Sequence, residues 1–163
     1  MTLEDRIENI KTLLKFSPQS SEDVWIVEDK VGLFFANLFN NDERFQHTHY
    51  DKVYPRIFLS EELNTDYKTH STTIGIEYTY DADRDGEYRE MVFFNDKDLE
   101  DAYFSNIGTI EYSEVPDYIW EIIQNTLNKE ATKHINNVLK SAKESVKYWK
   151  NRLLEFKQTK LKQ

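Results

Sequence analysis

The spacing of hydrophobic residues predicts two helices near the N-terminus. Apolar residues recur at helical intervals from Leu3 to Leu14, and Pro18 ends this segment. Thr2 stands where it can cap the first helix. A second helix is predicted over residues 22–39, where valines and phenylalanines fall three and four apart. A pair of strands is the alternative there, because the stretch is also rich in residues that favour strands.

The middle of the chain has the alternation of a β-sheet. Apolar and polar residues alternate from 73 to 80 with the period of a strand. The turn-rich residues 81–86 then lead into a return strand at 87–94. Two short strands and a brief helix complete the region, at residues 56–59, 107–112 and 98–104 respectively. These patterns predict an antiparallel sheet of three or four strands, and hence an α+β fold.

The C-terminal region reads as helix. Neither Gly nor a further Pro occurs after Pro116, so one long helix is possible. Its first apolar residues are spaced by four, which makes their stripe drift around the helix, and the drift stops at Ile135. This change of phase predicts a kink or break near residues 125–130 and a distinct helix beyond it.

Charge divides the chain at nearly the same place. Residues 1–128 hold 27 acidic and 11 basic residues, a net charge of −16, whereas residues 129–163 hold 3 and 10, a net charge of +7. A length of 163 residues is typical of one domain. We therefore expect an acidic α+β body, 1–128, and a basic amphipathic helix, 129–163, within a single domain.

Composition excludes several classes of function. The chain has no cysteine, which rules out disulfides, thiol nucleophiles and cysteine metal sites. Its first residues, MTLEDRIENI, are unlike a secretory signal or a transit peptide, and no apolar run approaches the roughly 20 residues of a membrane span. We expect a cytoplasmic protein that does not associate with membranes.

The C-terminal helix carries a coiled-coil pattern. From Ile135 to Phe156 the apolar residues are alternately four and three apart. This seam has Leu139, Val146 and Leu153 at core position a, and Ile135, Ala142, Trp149 and Phe156 at core position d. Lys143, Lys150 and Lys157 occupy the e flank. Arg152 on the g flank is also positive, so a parallel homodimer would place positive charges opposite one another across the seam. The pattern therefore favours an acidic companion helix.

Three companions are conceivable for this basic helix, whose predicted binding residues are Lys133, Lys140, Lys143, Lys147 and Lys150. We expect the companion to be the acidic body of the same chain, with the seam packed on it, since most amphipathic helices bury their apolar stripe in the core of their own protein. The alternatives are an arm for a partner protein or a phosphate backbone, and a membrane surface.

The acidic charge is concentrated in the predicted sheet. Residues 61–121 hold 17 acidic and 4 basic residues, a net charge of −13. Carboxylates spread over a sheet can imitate the phosphates of a nucleic acid and so occupy the enzyme that normally binds it. This acidic face is predicted to comprise Glu77, Asp81, Asp83, Asp85, Glu87, Glu90, Asp96, Asp98, Glu100 and Asp101. The alternative interpretation is ordinary solubilising charge on exposed faces. Under both interpretations the negative charge of the body argues against direct binding to nucleic acid, because like charges repel.

One loop has a partial calcium-binding pattern. Asp81, Asp83, Asp85 and Gly86 match the opening of a D-x-D-x-D-G loop, in which alternate carboxylates converge on the ion. The bidentate Glu required at position twelve is replaced by Val92. A hairpin connection that uses Asp and Gly as turn residues is the preferred interpretation.

Two further patterns point weakly to metal chemistry. His47, His49 and Asp51 alternate, so an extended segment places them on one face, where they could bind a divalent ion. Their string resembles the H-x-H-x-D-H run of metallo-hydrolases, with Lys52 in place of the last histidine. Residues 28–30 match the E-x-K element of nucleases but lack an upstream acidic strand. A polar loop is the preferred interpretation of the histidines, and no metal site is predicted.

The sequence carries no nucleophile elbow, phosphate-binding loop or dinucleotide fingerprint. No catalytic residue and no cofactor are therefore predicted. We expect a non-enzymatic protein-binding module, in its concrete form an inhibitor or regulator of a nucleic-acid-handling enzyme, of the kind phages or mobile elements encode, acting through the acidic face. The rival hypotheses are a metal-dependent hydrolase or nuclease and a structural subunit that pairs through its basic C-terminal helix.

Overall fold

The computed structural model describes residues 1–17, 25–45, 53–64, 69–82, 86–94 and 106–161. Within these ranges the chain is an α+β domain, as the sequence predicts. Its elements, in chain order, are α1 (Leu3–Lys15), α2 (Asp29–Asn41), β1 (Tyr54–Asn64), β2 (Thr69–Ala82), β3 (Gly86–Phe94), β4 (Asn106–Ile110), a 3-10 turn (Tyr112–Glu114) and α3 (Asp117–Leu161).

The four described strands form one mixed sheet in the order β1-β2-β3-β4. The first three are antiparallel neighbours, with Ile76 opposite both Ile57 and Val92. β4 runs parallel to β3 and places Ile110 opposite Phe94. The expectation of a purely antiparallel sheet was therefore wrong at β4. Its side-chain alternation is the same in either direction, so the pattern contained no signal of strand direction.

The N-terminal helices follow local signals. Thr2 and Asp5 form the expected capping box: the Asp5 amide donates to Thr2 Oγ1 at 3.1 Å, and the Thr2 amide donates to Asp5 Oδ2 at 3.2 Å. α2 confirms the helical interpretation over the strand pair, although it begins at Asp29, later than predicted. The residues just before it are extended, and the Ile26 amide donates to the Pro55 carbonyl at 2.8 Å.

The core lies between one face of the sheet and the helices. Aromatic rings fill it: Phe39 stacks on Tyr78 with centroids 4.4 Å apart, and Phe94 contacts Trp120 at 5.3 Å. Trp120 is fully buried, and its indole N–H donates to the Tyr112 carbonyl at 3.0 Å. Because this buried donor is satisfied, Trp120 can anchor the start of α3 at no polar cost.

α3 is a single unbroken helix of 45 residues, about 68 Å long at 1.5 Å per residue. The predicted break near residues 125–130 was therefore wrong. The drifting apolar stripe instead marks where the helix leaves the body, because Ile119, Ile123, Leu127 and Ala131 are buried and the apolar residues beyond them are exposed. In the described ranges, no helix is long and apolar enough to cross a membrane.

Candidate protein-interaction helix

The first part of α3 is held by the body on more than one side. Ile119, Trp120 and Ile123 belong to the hydrophobic core. α1 lies alongside, with its Asn9–Leu13 stretch bordering Gln124 and Asn128 of α3. The last buried residue of α3 is Ala131. Beyond it the described side chains of α3 are exposed, apart from His134, which is half-buried.

Residues 132–159 form what we call the projecting arm. The large seam residues on it are exposed by between 41 % for Ile135 and 65 % for Trp149. The structure thus leaves the seam in solvent, where the sequence led us to expect it packed on the body. The physical reason is the continuity of α3: a helix anchored by its first turns extends by 1.5 Å with each residue, so without a break its later residues are carried away from the body.

Further apolar residues of the projecting arm lie beside the seam and behind it. Val138 at position g widens the seam, whereas Leu154 at position b and Tyr148 at position c lie on the outer face; all three are more than half exposed. The rings of Tyr148 and Trp149 meet edge to face, with centroids 5.3 Å apart. An exposed apolar stripe along one face of a helix, as at positions a, d and g here, is typical of a protein-interaction surface.

Cations border the stripe. All five predicted basic residues are exposed, namely Lys133, Lys140, Lys143, Lys147 and Lys150. Lys157 is exposed as well. Arg152 pairs with Glu155 of the same helix at 2.8 Å. At the other end of α3, Asp117 lies in the first turn. The helix therefore carries acidic charge at its N-terminus and basic charge toward its C-terminus, an arrangement that complements the helix dipole.

The predicted acidic face can be located at one side chain. Glu77 is buried, with 7 % of the whole residue exposed, and its Oε2 lies 3.3 Å from Nη1 of Arg56 on β1. Residues 56 and 77 are opposite one another in the β1–β2 register, a pairing that no local pattern in the chain indicates. Arg56 also lies over the Phe58 ring at 5.4 Å. Glu77 is therefore an internal ion-pair partner, and a surface role for it is excluded.

The other predicted acidic residues are placed by backbone alone or not described. Asp81 lies on β2 and faces Glu87 of β3 in the register, while Glu90 is paired with Tyr78. Asp83, Asp85, Asp96, Asp98, Glu100 and Asp101 lie outside the described residues.

The metal candidates fare similarly. His47, His49 and Asp51 lie outside the described residues, as do Asp83 and Asp85 of the calcium-like loop; Asp81 lies on β2 and Gly86 begins β3. Among the residues that are described, no group of three or more His, Asp or Glu is arranged to hold a metal ion. Glu28 precedes α2 and Lys30 lies in its first turn, so the nuclease-like pair is not on a strand.

The structure reveals an ionic cluster that the sequence did not indicate. Arg44 Nη2 lies 2.6 Å from Asp42 Oδ2 and 2.6 Å from Glu114 Oε1, and its Nη1 donates to the Thr109 carbonyl at 2.9 Å. Hydrogen bonds from Arg44 lower the pKa of both the Asp42 and Glu114 carboxyl groups. The guanidinium fixes the end of α2 to the β4–α3 connection, which is a structural role.

No protein-family model, curated protein or solved structure matches this chain. Among the described residues, the projecting arm is the best-defined candidate site.

Proposed function

We propose that this protein is a non-enzymatic binding module that recognises another protein through the projecting arm of α3. The observation that carries the proposal is the exposed heptad seam between Ile135 and Phe156 on a helix rooted in a folded core. Seams of this pattern are covered by a second helix when they function. Of the hypotheses that the sequence left open, the geometry favours the subunit that pairs through its basic helix.

The apolar contribution is large enough for stable pairing. Complete burial of a large apolar side chain is worth about 1.5–3 kcal/mol, and six such seam residues are roughly half exposed, so covering them yields about 5–9 kcal/mol from this helix alone. A companion helix contributes a similar amount. The total is in the range needed to offset the estimated cost of association, about 4–15 kcal/mol.

The arm is also prepared for binding before it meets a partner. Its helical conformation is already formed, so a partner does not need to order it, and Trp120 and its neighbours fix its direction relative to the body. Preorganisation of this kind reduces the entropic cost of binding.

The test compares two full-length variants in the native cell. The seam variant is Leu139→Ser, Val146→Ser, Leu153→Ser, and its matched control is Asn137→Ser, Glu144→Ser, Asn151→Ser at the outer f positions. A photo-crosslinker replaces Val138, which lies beside the seam at position g and is exposed, in both variants. We expect the control to crosslink to the same protein as the otherwise unaltered chain, and the seam variant to lose it.

Thermal unfolding provides the check on folding. Because the seam residues are exposed, the seam variant should retain the melting temperature of the body. Unchanged crosslinking by a folded seam variant would refute the proposal.

A second candidate function uses the acidic face as an inhibitor of a nucleic-acid-handling enzyme. It is supported by the charge of −13 over residues 61–121 and by the register of Asp81 against Glu87, which concentrates like charges at one end of β2 and β3. The test is Glu87→Lys with Glu90→Lys, leaving Glu77 unchanged because it belongs to a buried ion pair. The matched control is Glu4→Lys with Glu8→Lys on α1. Equal capture of a nucleic-acid enzyme by both variants would sink this candidate.

A further inference from the structure

We propose that the occupant of the projecting arm is an acidic helix of a different protein, with its own heptad seam and with carboxylates on the flank that meets Lys143, Lys150 and Lys157. This inference rests on the proposed function and specifies the class of partner. It is carried by the positions of the charges around the exposed seam and by the surfaces of the other described helices.

The flanks of the seam are unequal in charge. The e flank carries Lys143, Lys150 and Lys157, one in each of three successive heptads. The g flank carries Arg152 and otherwise uncharged residues. The acidic residues of the arm, Glu144 at f and Glu155 at c, lie away from the line of contact. The seam therefore presents positive charge to whatever lies against it.

A second copy of this chain is a poor occupant. In an antiparallel pair the e flanks face one another, which sets three lysines against three lysines. In a parallel pair Arg152 faces Lys157 of the second copy, once on each side. Glu155 pairs with Arg152 of its own helix from the exposed position c, and no carboxylate occupies the e or g position that Lys157 would meet. Like charges at such positions destabilise a helix pair, whereas opposite charges determine partner choice.

The body of a second copy does not offer the missing helix either. The apolar residues of α1 that are buried, Ile7, Ile10 and Leu14, are already committed to its own core, as are Val31 and Phe35 of α2. In the described ranges, α3 is the helix with an exposed heptad seam. The described part of the body supplies acidic charge but no second exposed heptad seam, which favours a companion from another protein.

The seam also favours a protein helix over a phosphate surface. Phosphates would satisfy the lysines but would leave Leu139, Trp149 and Leu153 exposed, since nucleic-acid backbones offer no apolar groove of that shape. An acidic heptad helix satisfies both features at once. Its carboxylates face the e flank and its apolar residues fill the seam.

The test uses the full-length protein and two synthetic four-heptad peptides. Both have Leu at positions a and d; one has Glu at e and g, the other Lys. Placing the charge on both flanks makes the result independent of helix orientation. Calorimetry gives the affinity, and a shift in emission that is lost in Trp149→Phe reports contact with the seam. Trp149 is 65 % exposed, whereas Trp120 is fully buried and Trp25 is half-buried. We expect the Glu peptide to bind, its affinity to fall as salt is raised, and its binding to shift the Trp149 emission to the blue. The acidic body can attract the Lys peptide, but that peptide should leave the Trp149 emission unchanged.

Two charge-reversal variants make the test specific. Lys143→Glu, Lys150→Glu, Lys157→Glu reverses the e flank, and Lys133→Glu, Lys140→Glu, Lys147→Glu makes the same change of charge at the outer b positions. We expect the e-flank variant to lose affinity for the Glu peptide by at least about tenfold and to accept the Lys peptide. The b-position variant should keep its preference for the Glu peptide. Equal effects of the two variants would overturn the inference, because they would indicate general attraction between net charges.

Further outcomes separate this inference from the proposed function. Self-association through the seam in sedimentation, with no binding of the Glu peptide, would make a second copy the occupant and refute the inference, while the arm would remain a binding element. Tighter binding to duplex DNA or to anionic vesicles than to the Glu peptide would refute it as well. If the Leu139→Ser, Val146→Ser, Leu153→Ser variant still binds the Glu peptide, the peptide does not pair with the seam and the inference is refuted. If that variant crosslinks unchanged in the cell, the proposed function itself is refuted.

Discussion

Replacing Glu77 with Gln removes one charge from an ion pair that lies almost entirely inside the molecule. The side chains of Glu77 and Arg56 are each 9 % exposed, and 3.3 Å separates Oε2 from Nη1. Glutamine keeps the volume and one oxygen acceptor, so the variant tests the loss of charge with little change in packing. The buried Arg56 guanidinium then loses the charge of the Glu77 carboxylate.

The expected loss of stability is large for a single atom exchange. Removing one partner of a buried pair costs about 3–5 kcal/mol, because the remaining charge stays desolvated. The retained amide oxygen and the Phe58 ring, 5.4 Å from the guanidinium, offset part of this, so we expect about 2–3 kcal/mol. A domain of this size is stable by about 5–15 kcal/mol in total and loses roughly 2–4 °C per kcal/mol, so its melting temperature should fall by about 5–10 °C.

Glu155→Gln is the matched control. Glu155 lies closer to its arginine, at 2.8 Å from Arg152, but the two side chains are 62 % and 56 % exposed. Exposed pairs contribute about 0–1 kcal/mol, so this shorter contact should matter less than the longer buried one. Urea unfolding followed by circular dichroism measures both variants. A Glu77→Gln cost no greater than that of Glu155→Gln would refute the argument that burial, and not distance, sets the contribution.

Three further outcomes are expected. Gly32→Ala in α2 should destabilise the fold by about 1–2 kcal/mol in urea unfolding, because the added Cβ would lie 2.7 Å from the Val53 carbonyl oxygen. Ala is the better helix former, so a gain in stability would contradict the predicted clash. Arg44→Ala should cost about 1–2 kcal/mol at neutral pH, since it removes two ion pairs that are a quarter to a third exposed and a hydrogen bond to a carbonyl. Because Arg44 lowers the pKa of Asp42 and Glu114 in the folded state, their contribution is present above the unfolded pKa values of about 4 and is lost as pH falls through the folded values. The cost of Arg44→Ala should therefore shrink in acid, and a cost that is constant with pH would exclude the ionic explanation.

Local patterns predicted the elements that depend on neighbours in sequence. The capping box at Thr2 and the alternation from residue 73 to 80 both involve positions a few residues apart, and both are confirmed as α1 and β2. The parallel direction of β4 leaves no trace in a pattern of period two, so it could not be predicted in this way.

The electrostatic partners were missed because they are distant in sequence. Glu77 meets an arginine 21 positions away, and Arg44 meets a glutamate 70 positions away. A count of charges identified Glu77 as part of an acidic surface, whereas the strand register buries it. The basic helix was predicted with its seam and its lysines, but the place where it leaves the body depends on how far the core extends, which is a property of the whole fold.

The continuity of α3 has a consequence for how the projecting arm comes to be helical at all. Helix formation is limited by its first turn, and an isolated segment of the arm's length would be helical only in part in water. Here the buried turns around Trp120 supply a permanent nucleus, so the residues beyond Ala131 need only propagation. The folded core thus sets the population of the binding-competent helix about 40 Å away. Substitutions that loosen the core at Trp120 should weaken partner binding without touching the partner.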